Sequence, residues 1–235
     1  MLLANFLMTM RMRLTKAQER LLLALQTKKG RVEHGMFILE GAKFVRDIDD
    51  MVVFRFTPRD TPRFREVVST ETPQDVAAVV RAPSWTIADV AKMPTVVVLD
   101  GVQDPGNIGT ILRACLGFHA GLVLVESSDV TNPKTVRSSV SAVVRVPWVS
   151  VPRAQADRVI RDVGRPVYRL ELGKQTTSVV DLPKKDRITI IAGSEGQGIR
   201  LDTSGTSVKI PHDRSLESLN VGVAVSIALY ERTRA

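Results

Sequence analysis

Cysteine is nearly absent: Cys115 is the one thiol in 235 residues, so no intrachain disulfide can form. Histidine is almost as scarce. His34, His119 and His212 lie scattered, without the spacing of a zinc site, and no metal is expected. No apolar run approaches the roughly 20 residues of a transmembrane helix. The first ten residues lack a basic leader before their short apolar stretch and give way to Arg11 and Arg13, so they read as an extension and not as a signal peptide. Met8, Met10 and Met12 are alternative starts. These absences point to a soluble protein of a reducing cytoplasm. What is present is 44% hydrophobic and 25% charged residues, enough for two modest domains or one large one.

The charge is lopsided. Lys and Arg number 33 against 25 Asp and Glu, a formal +8 that favours a polyanionic partner such as nucleic acid. Arg11, Arg13, Lys16, Arg20, Lys28, Lys29 and Arg31 fall close together with Glu19 as the one acid among them. Such a stripe is either a solvated helix face or a surface that tracks phosphates.

Along the chain, Leu14, Ala17, Leu21, Leu22 and Leu25 recur at helical spacing, with Thr15 as N-cap and Gly30 as stop. Strands are predicted at Met36 to Leu39, Val52 to Phe56 and Val76 to Val80, with a helix from Ala42 to Asp49. This gives a small α/β domain over 14–81, after an extension over 1–13. Pro83, Trp85 and Pro94 punctuate 82–94, read as a linker. From 95 to 235 the runs Thr95 to Leu99, Gly121 to Val125, Pro166 to Leu170, Ile188 to Ala192 and Ser207 to Ile210 do not alternate, as in a parallel sheet buried on both faces. A terminal helix is expected from Leu219 to Arg232.

Three segments of this second domain follow predicted strands, where open parallel sheets bind ligands. In the first, 100–113, Pro105 and Gly106 turn the chain, Asn107 caps a helix, and Arg113 lies nearly two turns on. The second, Gly193-Ser-Glu-Gly-Gln-Gly198, has neither the dinucleotide fingerprint nor the lysine of a phosphate loop, which disfavours a nucleotide-binding oxidoreductase. The third runs from Ile210-Pro-His to Ser218-Leu-Asn220. Taken singly, Asn107, Ser218 and Asn220 read as caps and Arg113 as a surface ion-pair partner. Cys115 reads as a small core residue.

In order and spacing the three segments closely resemble the SpoU/TrmH family of the SPOUT superfamily, the RNA ribose 2′-O-methyltransferases. Asn107, Gly109 and Arg113 match its first motif, Gly193, Glu195, Gly196 and Gly198 its second, and Ile210, Pro211, Ser218, Leu219, Asn220 and Val221 its third. Asn132-Pro-Lys134, Arg137 and Val144 to Pro147 resemble its intermotif region. Residues 14–80, most clearly Phe37-Ile-Leu-Glu-Gly41, are similar to a ribosomal-protein-like substrate-binding domain. His212 stands where relatives often carry methionine, and Gly222 where a small hydroxyl residue is frequent.

The resemblance implies an α/β parallel-sheet domain with a deep trefoil knot. It implies S-adenosyl-L-methionine held by Gly193, Ser194, Glu195, Gly196, Gly198, Ile210, Pro211, Ser218 and Leu219. Methyl transfer to a ribose 2′-hydroxyl would rest on Arg113, Asn107, Glu195, Ser218 and Asn220. A guanidinium is a poor proton acceptor, so Arg113 is expected to bind RNA phosphate and stabilise alkoxide. Lys134 and Arg137 join the basic stripe as expected RNA contacts. Ribosomal RNA of the 23S type is the expected substrate and a homodimer the expected assembly. The alternatives are transfer RNA as substrate, or an RNA-binding scaffold without chemistry.

Overall fold

The computed structural model describes residues 13–68, 74–173, 176–213 and 215–234. The chain divides into two compact units, Met1–Ala82 and Pro83–Ala235.

In the first unit, helix α1 (Lys16–Ala24) begins as predicted. Thr15 Oγ1 accepts from Gln18 N at 3.2 Å and Gln18 Oε1 accepts from Thr15 N at 2.9 Å, a reciprocal cap that satisfies two orphan donors. Gly30 does not stop this helix. It is buried inside a second helix, α2 (Lys28–His34), where a Cβ would fall 2.0 Å from the Ala24 carbonyl oxygen, so its role is close approach. There follow β1 (Met36–Glu40), α3 (Ala42–Arg46), β2 (Val52–Phe56), α4 (Phe64–Val68) and β3 (Ala77–Arg81). The predicted helix from Ala42 ends early, at Arg46, and a 3₁₀ turn, Asp49–Met51, leads into β2. The strands form an antiparallel sheet in the order β1-β3-β2. Leu22, Leu25, Phe56, Phe64, Val67 and Val79 fill one core beside it.

Of the expected linker over 82–94, residues 83–94 fall in the second unit. Residues 87–92 form α5 (Ile87–Lys92), capped by Thr86 and Asp89, and its Val90 is fully buried. Seven strands then form one parallel sheet: β4 (Thr95–Asp100), β5 (Ala120–Val125), β6 (Trp148–Val151), β7 (Val167–Leu170), β8 (Thr177–Ser178), β9 (Ile188–Gly193) and β10 (Thr206–Lys209). Their order is β6-β5-β4-β9-β7-β10-β8. β6 and β8 went unpredicted because they are short, half-exposed edge strands without an apolar run.

Helices α6 (Pro105–Gly117), α7 (Pro133–Ser139), α8 (Arg153–Val163) and α9 (Val221–Thr233) complete the unit. Ala156 and Ile160 of α8 pack with Val90 on Val96, Val98, Val123 and Ile191, which share one face of the sheet. α6 packs on β5 and on α9. α6 also lies tightly against α7, because a Cβ at Gly109 would fall 1.9 Å from Ser138 Oγ. The register aligns Val125, Asp100 and Gly193 across β5, β4 and β9, so three strands end level. Their following loops meet at that edge.

Candidate functional site

Asp100, the last residue of β4, organises this edge. Its carbonyl oxygen accepts from Ser194 N at 3.1 Å. Its buried carboxylate accepts from Arg200 N at 2.5 Å, from Leu201 N at 2.9 Å and from Arg153 Nη2 at 2.6 Å. One residue thus fixes both ends of the loop after β9. Within that loop Gly198 N donates to Ser194 O at 2.8 Å and Gly198 has φ 63°, a conformation glycine adopts freely. A Cβ on Gly193 would lie 2.1 Å from the Gly198 carbonyl carbon, whereas one on Gly196 would meet nothing within 4 Å. The loop is closed on its inner side and open on its outer side.

α6 begins three residues earlier than predicted. Asp104, not Asn107, is its N-cap, accepting from Asn107 N at 3.1 Å, and Pro105 opens the helix. With Asp104 as the cap, the Asn107 side chain is free of that role. Asn107 instead donates through Nδ2 to Glu195 Oε1 at 3.3 Å. Asn220 donates to Asn107 Oδ1 and to Glu195 Oε1, each at 2.8 Å, while its own Oδ1 accepts from Gly222 N and Val223 N at the start of α9. That helix starts at Val221, with Asn220 as its cap. One residue from each of the three segments therefore meets in a single cluster.

Beside the cluster lies a cavity of about 530 Å³, lined among others by Gln103, Asp104, Asn107, Glu126, Glu195 and Arg200. Ser194 and Gly196 line it too, but Gly193, Gly198, Ile210, Pro211, Ser218 and Leu219 do not. Ile210 and Leu219 are half-buried, and Pro211 and Ser218 are exposed. His212 Nδ1 donates to Ile210 O at 2.7 Å, which fixes its tautomer.

Arg113 stands apart from the cluster. Six residues beyond Asn107 on α6, it points about 120° away around the helix axis. It is exposed and makes no hydrogen bond or ion pair among the described residues. Thr110, one turn earlier on α6, lies against α9 beside Gly222. Phe118 meets Tyr230 edge-on at 6.3 Å between ring centroids. Val223 and Tyr230 of α9 remain 45% and 50% exposed.

The basic residues divide. Arg13, Lys16, Arg20, Lys28, Lys29 and Arg137 are exposed, as phosphate contacts must be. Arg11 lies outside the described residues. Arg31 is a correction: it is 5% exposed, and its Nη1 donates to the Leu25 and Gln26 carbonyls that end α1, so it serves the fold. Lys134 is exposed but pairs with Asp104 at 3.1 Å. That hydrogen bond, with the N–H groups of Gly106 and Asn107, holds the Asp104 carboxyl below its ordinary value. Cys115 is fully buried, and desolvation pushes its thiol up to about 12, so it is inert.

Residues 94–230 match the sequence model of the SpoU rRNA Methylase family, a span that contains all three segments. The chain belongs to this family. It is 29% identical over 231 residues to the 23S rRNA (guanosine(2553)-2′-O)-methyltransferase RlmP of Bacillus subtilis (strain 168), covering 88% of this chain and 92% of that one. It is 36% identical over 179 residues to the 23S rRNA (adenosine(1067)-2′-O)-methyltransferase of Streptomyces laurentii, covering 72% of this chain and 66% of that one. The crystal structure of an AdoMet-bound rRNA methyltransferase from Sinorhizobium meliloti superposes with a TM-score of 0.84 at 26% identity, over 95% of this chain and 96% of that one.

Asp100, Arg153, Glu126 and Arg200 had not been singled out in the sequence. Asp100 and Glu126 each end or follow a predicted strand at the ligand-binding edge, and that position was the signal available. The residues around Gly193 fit S-adenosyl-L-methionine in that a glycine turn closes on itself without side chains and leaves backbone open on its outer side.

Proposed function

We propose that this protein transfers a methyl group from S-adenosyl-L-methionine to a ribose 2′-hydroxyl of 23S-type ribosomal RNA. The observation that carries the reading is the Asn107, Glu195 and Asn220 cluster at the strand ends, inside the span that matches the family. When bound, the cofactor supplies an electrophilic methyl carbon. The chain's residues do the rest. The backbone of Gly193, Ser194, Gly196 and Gly198, with Ile210, Pro211, Ser218 and Leu219, would hold the cofactor, and the cluster would orient the hydroxyl for in-line attack. Arg113 would grip phosphate and stabilise developing alkoxide.

A homodimer is part of the proposal. The half-exposed Val223 and Tyr230 form an apolar face on α9, and Arg113 opens beside the contact of α6 with α9. Because Arg113 points away from its own cluster, pairing through this face would complete the site. The first unit, with its exposed Arg13, Lys16, Arg20, Lys28 and Lys29, would select RNA. The trefoil knot and a cytoplasmic setting go with this reading. Among the described residues no helix is long and apolar enough to cross a membrane, and no cluster of ligands could hold a metal ion.

The test is transfer of radiolabelled methyl from S-adenosyl-L-methionine into RNA from cells lacking this protein. Label in large ribosomal RNA, at a linkage resistant to alkali, is expected. Label confined to transfer RNA would move the substrate class, and cofactor binding without label on any RNA would leave the scaffold.

A further inference from the structure

The cavity runs from the Asn107 and Glu195 pair to the carboxyl end of β5, where Glu126 stands. Three features of Glu126 are not explained by methyl transfer. Its φ is 45°, a left-handed conformation that disfavours a residue with a Cβ and tends to persist where function requires it. Its carboxylate is fixed, since Arg153 Nε donates to Oε2 at 2.8 Å and Arg200 Nη2 stands 3.6 Å from the same oxygen, while Gln103 Nε2 donates to its backbone carbonyl at 2.6 Å. Arg153 is anchored in turn on buried Asp100. Finally, Oε1 accepts no hydrogen bond among the described residues, and the side chain is 51% exposed on the cavity wall.

A rigid carboxylate with an open oxygen repels phosphate and accepts only from donors. The donors RNA can offer it are a ribose hydroxyl or a base edge, and of these the base edge differs from one nucleotide to the next. The Watson–Crick edge of guanine carries two adjacent donors, N1–H and the N2 amino group. Adenine and cytosine set a ring-nitrogen acceptor beside their amino group, and uracil flanks its one N–H with two carbonyl oxygens, so each of these turns an acceptor toward the carboxylate. Unstacked nucleotides are read by hydrogen bonds to this edge.

We propose that this end of the cavity receives the base of the acceptor nucleotide and that Glu126 makes it selective for guanine. The inference rests on the methyl-transfer reading, which would hold the same nucleotide's 2′-hydroxyl at Asn107 and Glu195. Family membership leaves the base open, since similar proteins are named for guanosine and for adenosine.

The experiment labels ribosomal RNA with the full-length protein and radiolabelled cofactor, digests it to nucleosides and separates the 2′-O-methylated products. Label in 2′-O-methylguanosine is expected; label in any other nucleoside overturns the inference and leaves the methyl-transfer reading standing. No label in any RNA overturns both. In the same assay Glu126→Gln, which replaces one acceptor oxygen by a donor, is expected to lower kcat/KM for RNA at least tenfold while leaving the dissociation constant for S-adenosyl-L-methionine within twofold. Unchanged kcat/KM for RNA sinks the assignment of Glu126.

Discussion

Asn220 donates to Glu195 Oε1 at 2.8 Å and with its other side-chain atom caps the last helix. One side chain thus couples the stability of α9 to the geometry of the site. The two roles can be separated. Asn220→Asp keeps a good capping oxygen but faces a second carboxylate across the cluster, so turnover is expected to fall more than tenfold with little change in Tm. Asn220→Ala loses the cap as well, at about 1 kcal/mol. A fully active Asp variant would show that the amide donor is dispensable.

Arg113→Ala should abolish methyl transfer while leaving cofactor affinity and fold intact. The side chain is exposed, and surface substitutions of this kind change stability by only about 0.5 kcal/mol. Calorimetry with S-adenosyl-L-methionine and a single-turnover assay read the two effects separately. Retained turnover would remove Arg113 from the chemistry.

The glycines of the second motif should differ sharply. Gly193→Ala drives a methyl group into the backbone of Gly198 and should eliminate cofactor binding. Gly196→Ala meets open space, so its Tm should match the parent protein. Equal losses of Tm in both variants would contradict this description of the loop.

Asp104 carries a pH signature. Its folded pKa is depressed, first by Lys134 and then by backbone N–H groups, so its contribution is complete above the ordinary carboxylate value of about 3.9 and is lost as pH falls through the folded value. Asp104→Ala should cost about 1 kcal/mol at pH 7 through the lost helix cap. Urea melts should show this gap narrowing below about pH 4; a gap that widens in acid would reverse the sign.

Ser141 has φ 65° immediately after Val140 at φ 50°, two side-chain-bearing residues in a region that suits glycine. Ser141→Gly should stabilise the protein by about 0.5–1 kcal/mol, the relief of that conformation less the greater freedom of glycine in the unfolded chain. Thermal melts of the two proteins decide it.

Residues that act through local rules were legible in the sequence. The Thr15 cap and the buried runs of β4, β5 and β9 follow from propensity and pattern alone. The edge strands β6 and β8 carry no such pattern, since only part of each is buried. Gly30 and Arg31 were misread for one reason: a glycine can serve close approach as well as termination, and an arginine can cap carbonyls as well as face solvent. Motif order named Asn107, Glu195 and Asn220, three side chains that hydrogen-bond to one another in the fold. The ion pairs of Asp100 and Glu126 with Arg153 join residues 53 and 27 positions apart, a proximity that only the parallel register creates.

The Asn107, Glu195 and Asn220 cluster also has a history within each molecule. Its members are 88 and 25 residues apart in sequence, and the pairing of β9 with β4 is what carries Glu195 to Asn107. Closing such long loops is slow compared with forming local helices. A chain emerging from the ribosome can thus build α6 and pair β4 with β5 while the cluster is still incomplete, because Glu195 and Asn220 belong to segments synthesised later.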